Sequence, residues 1–121
     1  MIKETVFVID DDETTRDSLK MYLEFDGFAV DTCENSVDAL DRIARQNFDV
    51  LLIDYRMPGM KGDELTARLR SLGNAAFIIG FSNESNEQAF LTAGADAFIG
   101  KHHLVQKLLT LIKNRKQCCI P

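Results

Sequence analysis

The chain has 121 residues, of which 45% are hydrophobic and 27% charged, and this composition fits one globular domain with a sizeable core. Disordered, collagenous and coiled-coil chains are excluded by the same composition. Nineteen Asp and Glu against fourteen Lys and Arg give a net charge of -5, which disfavours direct binding of nucleic acid or of an anionic membrane surface. We expect a single domain over residues 1–121, with a core at about 4–116 and a tail at 117–121.

Targeting and redox features favour a cytoplasmic protein. The apolar runs are far shorter than the ~18 residues that a membrane span needs, so no membrane insertion is expected. Acidic residues at positions 10–13 directly follow the first apolar run, unlike the pattern of a signal peptide. Three cysteines, Cys33, Cys118 and Cys119, match neither a paired metal site nor a disulfide framework, which favours a reducing compartment.

Five strand-like apolar runs alternate with segments of helical periodicity. The runs begin near Val6, Ala29, Val50, Ala76 and Ala97. Apolar residues spaced by three and four predict one buried face on four of the helices: Leu19, Tyr22 and Leu23; Val37, Leu40 and Ile43; Leu65, Leu69 and Leu72; Leu104, Leu108, Leu111 and Ile112. A further helix is predicted near residues 86–93.

Residues at the predicted helix ends agree with this division. Gly27, Gly73 and Gly94 stand where a left-handed residue closes a helix. Thr14 and Asp17 have the spacing of a capping box that opens the first helix.

The alternation of strands and helices predicts an α/β fold with a parallel sheet covered on both faces. The runs VFVI at 6–9 and VLLI at 50–53 are apolar throughout, as central strands are, whereas the run at 28–33 is partly polar and is typical of an edge strand. In such doubly wound sheets a ligand binds beyond the carboxyl ends of the strands, where the winding direction reverses. The chemistry is therefore expected just after residues 9 and 53.

Acidic side chains follow both of these strands. Asp10, Asp11 and Asp12 come after the first strand and Asp54 ends the third, and residues 1–60 carry 14 acids and 6 bases. Converging carboxylates disfavour one another's ionisation unless a cation is present, and hard oxygen ligands suit Mg²⁺. Helix capping is the alternative for one or two of these acids, but it does not explain an Asp at the end of a second strand.

Two further side chains would complete a site for phosphoryl chemistry. Ser82 and Lys101 each follow a predicted strand, so both can reach the edge of the sheet that holds Asp54. A carboxylate nucleophile needs a metal, a hydroxyl and a cation to neutralise a transferring phosphoryl group. Each of these residues, taken singly, also suits an ordinary structural role. Ser82 suits a helix cap, Lys101 suits an exposed surface charge and Asp54 suits a turn at the end of a strand.

Four segments, VFVIDDDETTR, DVLLIDYRMPGMKGDEL, IIGFSNE and ADAFIGK, resemble in order and spacing the receiver domain of two-component response regulators, the chemotaxis-regulator type included. The resemblance covers essentially the whole chain and is most specific from Asp54 to Gly62. It implies a flavodoxin-like (βα)5 fold with strand order 2-1-3-4-5. It also implies these roles: Asp54 as phosphoacceptor; Asp10, Asp11, Asp54 and the backbone carbonyl of Arg56 as ligands of Mg²⁺ or Mn²⁺; Ser82 as switch hydroxyl; Lys101 as phosphate-binding cation; Phe98 as switch aromatic.

The implied function is transfer of a phosphoryl group to Asp54 from a phosphohistidine of a sensor histidine kinase or histidine phosphotransfer protein. Such a domain is not an enzyme, although it assists its own phosphorylation and dephosphorylation. The added charge switches a surface formed by the fourth helix, fifth strand and fifth helix, which binds a downstream protein or a fused output domain. A monomer or a phosphorylation-dependent dimer is expected, in a stand-alone regulator or as part of a longer protein.

Two features depart from the common pattern of the family. His102 stands where most members carry proline after the lysine, so the Lys101–His102 bond is expected to be trans. Arg56 and Glu84 occupy variable positions beside the phosphoacceptor, and their opposite charges permit an ion pair across the pocket that slows hydrolysis of the phosphate.

Two other functions of this fold fit these residues poorly. A flavodoxin-like cofactor binder lacks its phosphate loop here, and a phosphatase of the haloacid dehalogenase type would need an Asp where Arg56 stands. A phosphorylation-independent receiver that serves as an interaction module stays open as the alternative. The basic segment at 101–116 is either a docking face for an acidic partner or a solvated helix face.

Overall fold

The computed structural model of the chain describes residues 3–115, in which five strands alternate with five helices. The predicted tail at 117–121, with Cys118 and Cys119, and Lys116 of the basic segment lie outside the described residues. The elements are β1 (Thr5–Ile9), α1 (Glu13–Phe25), β2 (Ala29–Cys33), α2 (Ser36–Arg45), β3 (Val50–Asp54), α3 (Gly62–Ser71), β4 (Phe77–Ser82), α4 (Glu87–Ala93), β5 (Ala97–Gly100), a single 3₁₀ turn (Lys101–His103) and α5 (Leu104–Asn114).

The five strands form one parallel sheet in the order β2-β1-β3-β4-β5, which confirms the predicted fold class and strand order. All five residues of β3 are buried, whereas β2 lies at an edge and is mostly half-exposed. The order reverses between β1 and β3, which pair directly with Ile9 opposite Ile53. The carboxyl ends of these two strands therefore meet at one edge of the sheet.

Apolar side chains cover both faces of the sheet in two core layers. One layer contains residues of α1 and α5, such as Leu23 and Leu108, and the other contains residues of α2, α3 and α4, such as Ile43, Leu65 and Phe90. In the described residues, no helix has the length and apolar character that a membrane crossing requires.

For two residues, the predicted burial on a helix face was wrong. Val37 is 60% exposed and Leu72 is 66% exposed. In α2 the buried stripe runs through Ser36, Ala39 and Ile43, because the Ser36 hydroxyl bonds to the loop after β3. Leu72 falls on the C-cap of α3, where the chain turns away from the sheet. The side chain of Leu104 lies outside the described structure.

The predicted capping box at Thr14 and Asp17 was also wrong. Helix α1 begins at Glu13, because the Asp12 carboxylate accepts hydrogen bonds from the Thr15 backbone N–H at 3.1 Å and from its hydroxyl at 2.6 Å. The left-handed glycines are confirmed, since Gly27, Gly73 and Gly94 have φ of 97°, 84° and 111°. The Lys101–His102 bond is trans, as are the other peptide bonds of the described residues.

The end of α5 differs from the solvated or docking face that the sequence suggested. Arg115 is buried, forms an ion pair with Glu4 and donates a hydrogen bond to the Ile112 carbonyl. This contact joins the last described residue to the chain just before β1. The basic face of α5 is therefore limited, among the described residues of the helix, to Lys107 and Lys113.

Phe90 packs into a socket made by two glycines. The ring is fully buried, and a Cβ atom added to Gly80 of β4 would overlap it, while one added to Gly62 would lie 2.7 Å from its Cζ. A Cβ atom at Gly62 would also overlap the backbone oxygen of Asp54. The ring meets Tyr55 edge-on at 6.1 Å between centroids and Phe98 at 5.9 Å. Phe90, the buried residue of α4, therefore packs the helix against β4 and the end of β3.

Candidate functional site

Three carboxylates converge at the carboxyl edge of β1 and β3. Asp10 directly follows β1 and is completely buried, Asp54 ends β3 with 5% of its surface exposed, and Asp11 is exposed beside them. Each offers an oxygen atom, and these atoms all lie within 4.8 Å of one another. The pairing of Ile9 with Ile53 produces this cluster, because it places the residues that follow both strands at the same level of the sheet.

Lys101 links the two buried carboxylates. Its Nζ lies 3.2 Å from Oδ2 of Asp10 and 3.2 Å from Oδ1 of Asp54. The side chain starts just after β5 and crosses the end of β4, where Nζ lies 5.1 Å from the Phe81 ring centroid. The predicted partners Asp54 and Lys101 are therefore in direct contact.

Burial and mutual repulsion shape the charges of this cluster. Burial, and then the nearby charge of Asp10, raise the pKa of Asp54 to about 6. Burial also raises the pKa of Asp10. Burial alone would lower the pKa of Lys101, but the charges of Asp54 and Asp10 outweigh it and leave that pKa raised. The site therefore holds an ammonium group between two carboxylates that ionise reluctantly.

The oxygen atoms of Asp10 show how the cluster fits a cation. Oδ1 accepts a hydrogen bond from the backbone N–H of Asp12 at 2.9 Å. Oδ2 is buried and accepts no hydrogen bond from any residue that the structure describes, although it lies beside Lys101. A buried carboxylate oxygen of this kind, next to Asp11 and Asp54, is a hard donor that fits Mg²⁺ or Mn²⁺. The carbonyl of Arg56 stays a predicted ligand.

Ser82 and Phe98 lie on the side of the site formed by β4 and β5. The buried Ser82 hydroxyl donates to Oδ1 of Asn86 at 2.6 Å and accepts from the Glu84 backbone N–H at 3.0 Å. It is thus engaged with the loop before α4 rather than with Asp54. The Phe98 ring is half-buried and rests against Phe90. Their predicted roles in a switch stay predictions.

Arg56 and Glu84 form the ion pair that the sequence predicted from their opposite charges. Two guanidinium nitrogens contact the two carboxylate oxygens, with Nε to Oε1 at 2.5 Å and Nη2 to Oε2 at 2.9 Å. The hydrogen bonds from Arg56 lower the pKa of Glu84, and the hydrogen bond to Glu84 raises the pKa of Arg56. Both side chains are exposed, and the pair joins the loops that follow β3 and β4.

An open groove lies beside the exposed carboxylate of the cluster. It has a volume of about 470 Å³ and is lined by Asp11, Asn35, Val37 and Pro58, among others. The exposure of Val37 is explained by its place in this groove wall. The groove offers a route by which a large molecule could approach the acidic cluster.

Two polar side chains that hold loops near the site were not singled out from the sequence. Asn86 accepts the hydrogen bond of Ser82, and the Ser36 hydroxyl accepts from the Met60 backbone N–H at 2.6 Å and donates to the Pro58 carbonyl at 3.1 Å. A usable signal for Ser36 is its helical spacing with Ala39 and Ile43, which places a polar residue on the buried stripe of α2. No comparable sequence signal marked Asn86.

The fold and the site define a doubly wound α/β domain with carboxylates and a lysine at the carboxyl edge of its sheet. Residues 6–113 match the family model described as the response regulator receiver domain. The chain therefore belongs to the receiver domain family of two-component response regulators.

Similar proteins agree with this assignment. The chain is 35% identical over 111 residues to the response regulator MprA of Mycobacterium avium (strain 104). This match covers 89% of this chain and 49% of the relative. MprA of Mycobacterium leprae (strain TN) is 34% identical, and the match again covers 89% of this chain and 49% of the relative. The chain thus spans about half the length of these relatives.

Solved structures show the same fold. A CheY-like receiver domain from Methanospirillum hungatei JF-1 superposes with a TM-score of 0.88 at 31% identity and covers 94% of each chain. The response regulator TrrA of Thermotoga maritima, solved in complex with Mg²⁺-BeF, superposes with a TM-score of 0.85 at 28% identity and covers 92% of this chain and 97% of its own.

Proposed function

We propose that this domain accepts a phosphoryl group on Asp54 from a phosphohistidine of a sensor histidine kinase or a histidine phosphotransfer protein. The observation that carries the proposal is the contact of Lys101 Nζ with both Asp10 and Asp54 at 3.2 Å, in a buried pocket at the edge of the sheet. The TrrA complex with Mg²⁺-BeF supports it by analogy.

The chemistry follows from the order of the side chains in the pocket. An oxygen of Asp54 attacks the phosphorus atom, a P–O bond forms as the P–N bond breaks, and the imidazole nitrogen of the donor keeps the electron pair. Lys101 neutralises negative charge on the phosphoryl oxygens, because its ammonium already lies against Asp54. Asp10, Asp11, Asp54 and the carbonyl of Arg56 would hold Mg²⁺ or Mn²⁺, which supplies further positive charge there when bound.

The product, an aspartyl phosphate, adds a charge of about -1.5 to -2 to the pocket. This charge competes with Asn86 for the Ser82 hydroxyl, and movement of that hydroxyl opens space for the Phe98 ring. The affected surface is formed by α4, β5 and α5, and it binds a downstream protein or a fused output domain. The domain acts as a phosphoacceptor that assists its own phosphorylation and dephosphorylation, and it is not an enzyme acting on other molecules.

A cytoplasmic location belongs to the same proposal. The odd cysteine count is typical of a reducing compartment. The net charge of -5 disfavours nucleic acid as a direct partner of this domain, so we expect its partners to be proteins.

Intact mass measurement tests the proposed function. The chain is incubated with phosphoramidate and Mg²⁺, and we expect one phosphoryl adduct that hydroxylamine removes, as it removes an acyl phosphate. A parallel sample with excess chelator should show no adduct, because the carboxylate cluster then lacks its cation. Absence of the adduct with Mg²⁺, under conditions that label an authentic receiver, would make the proposal wrong and leave a phosphorylation-independent interaction module.

Substitution of Lys101 by alanine is expected to slow adduct formation at least tenfold, because a charge-assisted contact to the phosphoryl group is lost. Lys101→Arg keeps the charge, so its rate of adduct formation should lie between those of the native chain and Lys101→Ala. Lys107→Ala, which removes an exposed lysine of α5, is the matched control and should behave as the native chain does. A structure with a bound phosphoryl mimic that shows the Lys101 amine turned to solvent would contradict the assigned role.

Loss of the Arg56–Glu84 pair is expected to speed dephosphorylation by about two- to fivefold, which is the range of an exposed ion pair. The pair joins the two loops beside Asp54 and restricts the approach of water, so Arg56→Ala and Glu84→Ala should have similar effects. The control is Arg45→Ala, which breaks an exposed pair with Asp41 on α2. Decay of the adduct, followed by mass after removal of the donor, is the measurement, and equal rates in all variants would refute the idea.

A further inference from the structure

The Ser82 hydroxyl is held by Asn86, the residue that directly precedes α4. Its Oγ donates a hydrogen bond to Oδ1 of Asn86 at 2.6 Å and accepts one from the Glu84 backbone N–H at 3.0 Å. A hydroxyl carries one proton and therefore donates one hydrogen bond. The Ser82 hydroxyl thus cannot donate to Asn86 and to a phosphoryl oxygen on Asp54 at the same time.

Asn86 is also the N-cap residue of α4, but within the described residues its side chain makes no capping hydrogen bond. The backbone carbonyl of Asn86 accepts from the Phe90 N–H at 3.1 Å, whereas its Oδ1 is occupied by Ser82. Asn35 shows the alternative at the start of α2, where Oδ1 accepts from the Asp38 backbone N–H at 2.8 Å. Asparagine is a preferred N-cap residue, so α4 lacks a stabilising contact that Asn86 could supply.

The backbone of Asn86 agrees with this difference. Its φ and ψ are -105° and 12°, whereas those of Asn35 are -149° and 162°, which is the extended conformation typical of a capping residue. In a capped α4 the amide oxygen would accept from the Ala89 backbone N–H, the position that Asp38 holds in α2. A change to capping would therefore turn the backbone at residue 86 and move the loop before α4.

The other end of α4 is attached to α3 and to the sheet. Gly94 ends the helix with φ of 111°, and its carbonyl accepts from Nε of Arg70 at 2.8 Å. The same guanidinium donates from Nη2 to Oδ2 of Asp96 at 2.8 Å, and Phe90 fills its socket on β4. Movement at residue 86 would thus shift the first turn of α4 and leave its last turn in place.

We propose that Asn86 is a positioning residue that exchanges hydrogen-bond partners during the switch. It holds the Ser82 hydroxyl away from Asp54 in the resting chain. Once a phosphoryl group has drawn that hydroxyl away, the amide oxygen of Asn86 caps the first turn of α4. The trigger rests on the proposed phosphoacceptor function, but the exchange itself depends only on whether Ser82 occupies the amide oxygen.

Hydrogen exchange of single amides, followed by NMR, tests the exchange of partners without any phosphoryl group. Ser82→Ala leaves the Asn86 amide oxygen free to cap, so we expect the Ala89 amide to exchange about fivefold more slowly than in the native chain. Ser82→Ala combined with Asn86→Ala should lose this protection. Thr92→Val, which removes an exposed hydrogen bond with Gln88 on the same helix, is the matched control and should match the native chain.

The same measurement with Mg²⁺ and beryllium fluoride, a mimic of the phosphoryl group, tests the trigger. In the native chain we expect the mimic to slow exchange at Ala89 about fivefold. Asn86→Ala should bind the mimic without this gain, and Asn86→Asp, which keeps an acceptor oxygen, should restore it.

Two results would overturn the proposal: Ala89 exchange that Ser82→Ala leaves unchanged, or a gain with the mimic that persists in Asn86→Ala. Failure of the phosphoacceptor function gives a different result. The native chain would then form no adduct and show no response to the mimic, while Ser82→Ala would still slow exchange at Ala89.

Discussion

The Asp54→Asn variant is expected to form no phosphoryl adduct with phosphoramidate and Mg²⁺. The amide has nearly the same shape as the carboxylate but lacks the anionic oxygen that attacks phosphorus. Lys101 contacts both Asp10 and Asp54, but Asp10 is completely buried, whereas 5% of the Asp54 surface is exposed at the end of β3, so Asp54 is the acid of this pair that a donor can reach. Intact mass, followed over a time course that labels the native chain fully, is the measurement.

Asp41→Asn provides the matched control for this loss. Asp41 is an exposed acid on α2 that pairs with Arg45, and its substitution should leave the adduct unchanged. An adduct that persists on Asp54→Asn and is located by peptide mapping on Asp11 would show that the exposed acid is the acceptor. That outcome would contradict the assignment of Asp54.

The second large effect concerns stability. In the absence of metal, Asp54→Asn is expected to raise the free energy of unfolding at pH 7.5 by about 3 kcal/mol, because the pKa of Asp54 is about 4 in an unfolded chain and about 6 in the fold. Between these values the folded state binds more protons than the unfolded state. The native chain therefore loses stability as the pH rises through this window, and the loss is complete above the folded pKa.

Thermal unfolding of the native chain and the variant at pH 5.0 and 7.5 measures this effect. A difference of about 3 kcal/mol corresponds to a shift in Tm of about 10 °C for a domain of this size. The gap between the two proteins should narrow at the lower pH, where Asp54 is largely protonated, and also on addition of Mg²⁺, which stabilises the native carboxylates by binding to them. Asp41→Asn again serves as control, and a variant no more stable than the native chain at pH 7.5 would contradict the prediction.

The general location of the site could be predicted because parallel strands bring their carboxyl ends together. The positions of Asp10 and Asp54 after two wholly apolar runs were enough to place both at one edge, and the structure brings Lys101 to the same edge. Strand order was not derivable from those runs and came from the family resemblance. The edge position of β2 could be predicted, because its polar residues do not suit a strand buried on both faces.

Features that depend on contacts between distant segments could not be predicted from the sequence. Helical spacing in α2 fits both a stripe through Val37 and one through Ser36, and only the loop after β3, which bonds to the Ser36 hydroxyl, selects the second. Four consecutive acids offered several N-caps for α1, and the hydrogen bonds from Thr15 select Asp12. The hydrogen bond from Ser82 to Asn86 could not be predicted either, because it depends on the path of the loop between β4 and α4, which the sequence does not specify.

The socket around Phe90 has a consequence for how this chain can change through evolution. A methyl group at position 80 has no space while the ring is present, and one at position 62 would meet both the ring and the backbone oxygen of Asp54, so neither glycine can be replaced on its own. A lineage that enlarges position 80 must first acquire a smaller side chain at position 90, and that step leaves an unfilled volume between β4 and α4. Positions 80 and 90 are thus inherited as a pair, and the order in which substitutions arise there is constrained.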